Sequence, residues 1–268
     1  MKPLPFEYHA PETLAEALDL LSEHGDEAKV LAGGQSLVPL LNFHLARPAH
    51  LVDINRIPGL DRFGFEDGWL EVGCLVRHAA LETPPAGFEP LAAVAALIGH
   101  PAIRNRGTVV GSLAHADPAA EWPSAFTAWP GAEVVAASRR GRRTIALAEL
   151  FVSHFGTLLE PDELLLQLRL PPLPAGHTFG FAEFSRRHGD FALAAAAVVA
   201  GTDGVRAALG GVGPIPVLLY NLPVEGEAAG IRALVSAALR PTGDVHASAD
   251  YRRELAAEMV VRALHRAA

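Results

Sequence analysis

Two glycine-centred stretches carry the residue types best suited to holding a phosphate. The first is Ala32-Gly33-Gly34-Gln35-Ser36-Leu37. Two adjacent glycines remove two Cβ atoms and permit positive φ. Successive backbone N–H groups can then point into one concavity, a nest for an anion. Ser36 adds a hydroxyl donor, so a pyrophosphate could sit there without lysine or arginine. The alternative reading of the hexapeptide is an ordinary tight turn. It is neither a Walker loop, lacking Gly-Lys-Ser/Thr, nor a G-x-G-x-x-G fingerprint.

The second stretch runs from His100 to Glu121, with Thr108-Val109-Val110-Gly111-Ser112 at its centre. Thr108 and Ser112 offer hydroxyls, and Gly111 lets backbone approach a ligand closely. Asp117 and Glu121 can accept from ribose hydroxyls, the usual task of an acidic residue near a nucleotide. Asp117 precedes Pro118 and can equally cap the helix that follows. His115 has two open readings, cofactor contact or a structural hydrogen bond. His100, before Pro101, is read as ordering its loop.

The elements that must position these loops are legible in part. Thr13 followed by Glu16 is a capping box, and Leu14, Ala17, Leu18 and Leu21 fall on one helical face ended by Gly25. Lys29–Ala32 and His50–Ile54 read as strands. Asp67-Gly68 within Phe63–Val72 signals a hairpin. Pro90–Ile98 reads as a small-residue helix. A second hairpin is expected from Glu133–Ala137 to Thr144–Leu147, with Arg139, Arg140, Arg142 and Arg143 at its charged tip. Leu164–Leu170 is a further strand. The Pro171-Pro172-Leu173-Pro174 cluster interrupts regular structure and marks the expected domain boundary, giving 1–173 and 174–268. Strands are expected near 180–184, 191–200 and 205–209, and helices over 225–239 and 248–265. This mixture without β-α-β alternation favours α+β over a doubly wound sheet.

Composition narrows the function classes. The chain has 268 residues, half of them apolar and only 19% charged, which excludes intrinsic disorder. No apolar run approaches the ~20 residues of a spanning helix, and the first residues lack the apolar core of a secretory signal. A single cysteine, Cys74, rules out an internal disulfide and a cysteine-ligated iron–sulfur cluster, so a cytoplasmic location is expected. Net charge of −8 disfavours nucleic acid. Twelve histidines show no metal-binding spacing, so no metal site is expected. Ser36 and Ser112 lack the Gly-x-Ser-x-Gly elbow of a hydrolase. Cys74 is read as a buried, inert thiol.

The two glycine motifs, in this order and separation, resemble the flavin-binding medium subunit of the molybdenum hydroxylases. That family includes the carbon monoxide dehydrogenase medium subunit and the flavin domain of xanthine dehydrogenase. The resemblance spans essentially the whole chain, from Phe6-Glu7-Tyr8 and Pro11-Glu12-Thr13-Leu14 through Glu163-Leu164-Leu165 and Arg186-Arg187-His188-Gly189-Asp190-Phe191-Ala192 to Tyr251-Arg252-Arg253. It implies a two-part FAD-binding domain of the vanillyl-alcohol-oxidase (PCMH) type, followed by a smaller C-terminal α/β domain. It implies non-covalent FAD, with the Ala32–Ser36 loop on the pyrophosphate and the Thr108–Ser112 loop on the flavin and its phosphates. Glu121 matches an acidic position at the nucleotide part, Leu165 an apolar position by the cofactor, and Ile98 a position near the adenine or the ring. The 186–192 segment would lie near the flavin at the domain junction, although Gly189-Asp190 alone reads as a turn and Arg186 and Arg187 as a solvated face.

The resemblance further implies an electron-transfer subunit without acid–base residues of its own. Its partners would be an iron–sulfur small subunit and a molybdopterin large subunit, as a dimer of heterotrimers. Electrons would pass from the partner's clusters through FAD to an acceptor such as NAD⁺, a quinone or oxygen. One departure stands out. The family usually has two glycines in Thr-x-Gly-Gly-Ser, and Val110 occupies the first. A β-branched residue is a poor substitute wherever φ is positive. The competing readings are a self-sufficient flavin oxidase on the same fold and a scaffold that has lost flavin, for which Val110 alone speaks.

Overall fold

The structure, a computed structural model, describes residues 2–202, 204–223 and 228–267. Its first helix, α1 (Leu14–His24), starts as the sequence predicts. Thr13 is extended and its hydroxyl accepts from the Glu16 N–H at 3.2 Å. The Glu16 carboxylate reaches back to the N–H of Glu12 at 2.9 Å, one residue before the usual capping-box partner. Gly25 ends the helix at φ +49°.

Helix α1 joins two strands, β1 (Glu7–His9) and β2 (Ala28–Leu31), that flank β3 (His50–Asp53) in a parallel three-stranded sheet. The glycine loop leaves β2 and enters a short helix, α2 (Leu37–Asn42). Neither β1 nor α2 is predicted from sequence. Three residues, two of them exposed, show no alternation, and six residues containing Pro39 show no helical period.

A second, antiparallel sheet contains β4 (Phe63–Glu66), β5 (Trp69–Gly73), β6 (Glu133–Ser138), β7 (Gly141–Ala146) and β10 (Leu164–Leu170) in the order β4-β5-β10-β6-β7. Asp67 and Gly68 both have positive φ, the requirement of a tight hairpin turn. The β6–β7 turn is shorter than expected. Ser138 pairs with Gly141, so only Arg139 and Arg140 form the loop while Arg142 and Arg143 lie on the strand. Between the two hairpins come α3 (Pro90–Ala95), α4 (Pro101–Arg104), α5 (Val109–His115) and α6 (Glu121–Ala128). A small element, α7 (Leu147–Leu150), precedes the β8 (Phe151–Ser153) and β9 (Gly156–Thr157) ribbon.

The C-terminal part is an antiparallel meander, β11 (Thr178–Phe184), β12 (Ala194–Gly201), β13 (Gly204–Gly210) and β14 (Val217–Leu222), covered by α8 (Ala228–Ala238) and α9 (Ala249–Ala267). The helix expected from Glu225 begins outside the described residues. β12 starts three residues later than expected, because Phe191 is exposed rather than core. Strand alternation then builds two cores from one sheet. Ala195, Ala197 and Val199 face the first core, shared with the N-terminal sheets, whereas Ala194, Ala196 and Val198 face a second core closed by Val235, Ala256 and Val260. Burial on both faces explains why β12 reads as a continuous apolar run.

Candidate functional site

The two glycine motifs meet backbone to backbone. A Cβ on Gly33 would lie 2.7 Å from the Cα of Gly107 and closer still to the carbonyl oxygen of Arg106. No side chain fits there, so glycine is required by close approach. Gly34 supplies the turn with φ +74°. Among the described residues, the N–H groups of Gly33 to Leu37 donate to no acceptor within the chain, and the hydroxyls of Ser36 and Ser112 make no hydrogen bond. The Ala32–Ser36 loop is partly exposed apart from the open Gln35. A run of free donors in a concave, Cβ-free loop is the chemistry a pyrophosphate requires, so the residues present fit a dinucleotide cofactor.

Thr108 lies across this contact. It is extended at φ −113° and caps α5, its hydroxyl accepting from Gly111 N at 3.1 Å. Gly111 leaves room for that hydroxyl, which an added Cβ would crowd. Val109 and Val110 follow as the first helical residues, and both are buried in the first core. Val110 therefore sits in helical backbone, where φ is negative and a β-branched residue is tolerated. Its side chain fills core, and the objection to Val110 falls away.

A polar network that sequence reading missed holds the two loops in register. Asn55 Nδ2 donates to Ala32 O at 2.8 Å, and Asn55 Oδ1 accepts from Arg77 Nη2 at 2.8 Å. Arg77 Nη1 donates to Arg106 O at 2.5 Å, and His78 N to Gly107 O at 3.0 Å. Trp122 Nε1 donates to His78 Nδ1 at 2.9 Å. That ring nitrogen must be an acceptor, so the imidazole is neutral. Burial, with the Arg104 and Arg77 charges, pushes the His78 pKa down to about 4, in agreement. The available sequence signal was polar Arg77-His78 ending the apolar run Cys74-Leu75-Val76. Asn55 and Arg77 also line a cleft of about 310 Å³ that contains none of the residues named from sequence. The free donors of the glycine loops, not this cleft, locate the cradle.

The remaining predicted residues fall in two groups. Leu37 opens α2, and Ser112 and His115 lie on α5. The His115 ring packs 5.1 Å from Phe155 and makes no hydrogen bond; burial lowers its pKa. Ile98 is buried, and its carbonyl accepts from Arg104 Nη1 at 3.1 Å. Leu165 is buried on β10 opposite Ala136. Asp117 does not cap α6. That helix begins at Glu121 behind Ala120, and Asp117 Oδ1 accepts instead from Ala119 N at 2.9 Å in a local turn. Glu121 is buried in the first turn of α6, and burial raises its pKa to about 7. Glu183 on β11 has its Oε2 buried without a partner among the described residues, and burial, with the Glu121 charge next, raises its pKa to about 8.

The loop from Arg186 to Asp190 also reaches this region. Gly189 has φ +84° and packs against the Gly99 backbone and the His100 ring, while Arg186 and Arg187 are exposed. Cys74 is buried and its thiol is pushed up to about 12 by that burial, so it is inert. No helix among the described residues is long and apolar enough to cross a membrane.

Free backbone donors on a Cβ-free loop are the chemistry of a nucleotide-cofactor binder. Comparison with known proteins gives the family. Residues 4–173 match the FAD binding domain in molybdopterin dehydrogenase, and residues 179–267 match the CO dehydrogenase flavoprotein C-terminal domain. The chain belongs to this family of oxidoreductase flavoproteins and carries its FAD-binding domain. It is 43% identical to the 6-hydroxypseudooxynicotine dehydrogenase complex subunit alpha of Paenarthrobacter nicotinovorans, covering 100% of this chain and 97% of that one. It is 38% identical to the caffeine dehydrogenase subunit beta of Pseudomonas sp. (strain CBB1), covering 100% and 96%. The solved carbon monoxide dehydrogenase of Hydrogenophaga pseudoflava superposes with TM-score 0.92 at 35% identity, over 100% of this chain and 98% of the other.

Proposed function

We propose that this chain is the FAD-binding electron-transfer subunit of a molybdenum hydroxylase. In this reading it receives electrons from the iron–sulfur clusters of a small partner subunit and delivers them to an external acceptor. Substrate oxidation belongs to a large molybdopterin subunit, and the three chains form a dimer of heterotrimers in the cytoplasm. The observation that carries the reading is the Gly33 contact with Arg106 and Gly107, which joins both glycine loops into one cradle of unused donors. The lone, buried Cys74 supports it, because this chain cannot ligate a cluster.

Bound FAD supplies the redox chemistry. The chain's residues bind and orient it. The N–H groups of Gly33–Leu37 and the Ser36 hydroxyl hold the pyrophosphate, and Thr108–Ser112 border it with backbone and hydroxyl donors. Ile98, His115, Asp117, Glu121 and Leu165 complete the proposed surroundings. Val109 and Val110 contribute backbone only. Attachment is non-covalent in this reading, and the one cysteine, Cys74, is inside the core. The domain boundary at 173/174 rests on the proline cluster, and the second core is built wholly from residues beyond it.

The test is reconstitution. The purified FAD-loaded chain should release its flavin on acid precipitation. It should also pass electrons from a chemical reductant to an artificial acceptor, yet hydroxylate no aldehyde or aromatic substrate alone. Activity should arise only with the chains encoded beside it. Turnover by the isolated chain would promote the self-sufficient oxidase, and flavin retained in the precipitate would refute non-covalent binding.

A further inference from the structure

Three histidines that lie far apart in sequence converge beside the parallel sheet. His9 ends β1, His24 ends α1 and His50 starts β3. Their ring nitrogens all lie within 4.8 Å of one another, and each residue is half-buried. His9 Nε2 and His50 Nδ1 are 3.1 Å apart. The His24 and His50 rings stack at 3.6 Å with 6° between planes. Glu7 Oε2 stands at the rim, 3.6 Å from His50 Nδ1 and 3.9 Å from His9 Nε2. His50 pairs with Ala28, whereas the flavin loop leaves Leu31 at the far end of the same strand.

We propose that His9, His24 and His50, with Glu7 as the fourth ligand, form a site for one divalent transition-metal ion of the imidazole-preferring class, such as Zn²⁺. Tetrahedral Zn²⁺ with Zn–N bonds of about 2.0–2.1 Å places neighbouring donor atoms about 3.3 Å apart. The separations of 3.1, 3.6 and 3.9 Å among His9, His50 and Glu7 bracket that value. His24 needs only a side-chain rotation out of its stack, and its imidazole makes no hydrogen bond that would resist it. Neutral imidazoles suit Zn²⁺, Cu²⁺ and Ni²⁺ better than hard, oxygen-seeking cations. The approach is acidic: an open cleft of about 400 Å³ beside His9 is lined by Glu16, Asp19 and Glu23. The sequence shows no metal-binding spacing here for a simple reason. The ligands come from three elements, and only the parallel β1–β3 pairing and the end of α1 bring them together. The ion would tie the first strand to the body of the domain.

The test uses the tag-free, chelator-dialysed, FAD-loaded full chain titrated with Zn²⁺ in a calorimeter. One ion per chain with micromolar or tighter affinity is expected, together with a rise in melting temperature. His24→Ala, on the helix surface, should weaken binding at least tenfold and abolish the thermal shift, and His9→Ala should do the same. His154→Ala, at an exposed histidine elsewhere, should change neither. Flavin absorbance should stay constant throughout, which keeps this site separate from the flavin reading. Absence of a saturable one-to-one event overturns the proposal, and so does unchanged affinity in His24→Ala. If His9→Ala does not fold, His24→Ala decides alone.

Discussion

The glycine-loop contact and the junction between the two cores use polar groups in opposite ways. At the loops, donors are left free but remain open to solvent, and the buried polar atoms behind them are satisfied by Asn55, Arg77, His78 and Trp122. At the junction, polar atoms are buried and several have no partner among the described residues: Thr127 Oγ1, Arg206 Nε and Glu183 Oε2. Arg206 does reach across, its Nη2 donating to Thr127 O at 2.9 Å. An exposed free donor loses little, since water serves it until a ligand arrives. A buried orphan costs about 1–3 kcal/mol. The first region thus suits the ligand site proposed for it, and the second is a joint that gives up stability. Substitutions in each should separate binding from folding.

The largest effect on FAD affinity belongs to Gly33→Val. Its Cβ collides with backbone of the second motif, which cannot rotate away as a side chain can. Overpacking of this kind costs about 1–3 kcal/mol or more, and it separates the two halves of the cradle. FAD affinity should fall by roughly 100-fold, about 2.7 kcal/mol at 1.36 kcal/mol per decade, read by flavin fluorescence titration. Gly34→Val should act in the same direction through its positive φ. Unchanged affinity in a folded Gly33→Val chain would move the phosphate site elsewhere.

Val110→Gly restores the family's usual residue and tests the assignment of that position to packing. Val110 is 1% exposed within α5, so the change opens a cavity and weakens a helix. A loss of about 2–4 kcal/mol in unfolding free energy is expected, with FAD affinity in the folded protein altered less than threefold. A large gain in affinity would show that valine impairs the cradle.

These two substitutions also show what sequence could and could not reveal. Thr13, Asp67-Gly68 and the apolar run of β12 are local signals, and the structure honours each, β12 from Ala194 on. The helix expected after Pro118 is present as α6, but its start is not legible, because all eight of its residues are buried, which erases the 3.6-residue stripe. Asn55, Arg77, His78 and Trp122 were missed because their roles exist only once distant segments meet. The burial of Glu183 and the convergence of His9, His24 and His50 likewise exist only in the folded chain. Val110 was misjudged because a motif written as letters does not say which position is loop and which is helix.

The junction is tested by pH. Burial raises Glu183 to about 8 and Glu121 to about 7 from an ordinary 4.5. Between those values the folded chain holds protons that the unfolded chain has released. Stability is therefore fully present below about pH 4.5 and is lost as pH rises through 7 and 8. Glu183→Gln removes one titration while keeping the shape. It should flatten the decline and stabilise the protein by about 1–3 kcal/mol at pH 9, the order of one uncompensated buried polar group. Denaturant melts at pH 5 and pH 9 measure this, and a variant whose pH dependence equals wild type would place the carboxyl in contact with water. FAD affinity at a fixed pH should change little, since Glu183 is on the joint.

The smallest effect sharpens the comparison from outside both regions. Two of the arginine pairs on the β6–β7 hairpin differ in burial and in bonding. Arg139 lies 3.2 Å from Asp19, and both side chains are more than half exposed, 62% and 58%. Arg143 holds Glu163 through two bonds of 2.7 Å, and the Glu163 side chain is only 4% exposed. That guanidinium keeps the Glu163 carboxyl below its usual range. Arg139→Ala should change stability by less than about 0.5 kcal/mol, because an exposed pair gains little over its hydrated ions. Its effect should vanish at high salt. Arg143→Ala strands a buried carboxylate and should lose about 3 kcal/mol or more, a loss that salt cannot screen away. Neither should alter FAD affinity. Equal effects from the two substitutions would mean that burial of the partner does not set the worth of a charge here. The contrast between the open cradle and the buried joint rests on that same principle and would fail with it.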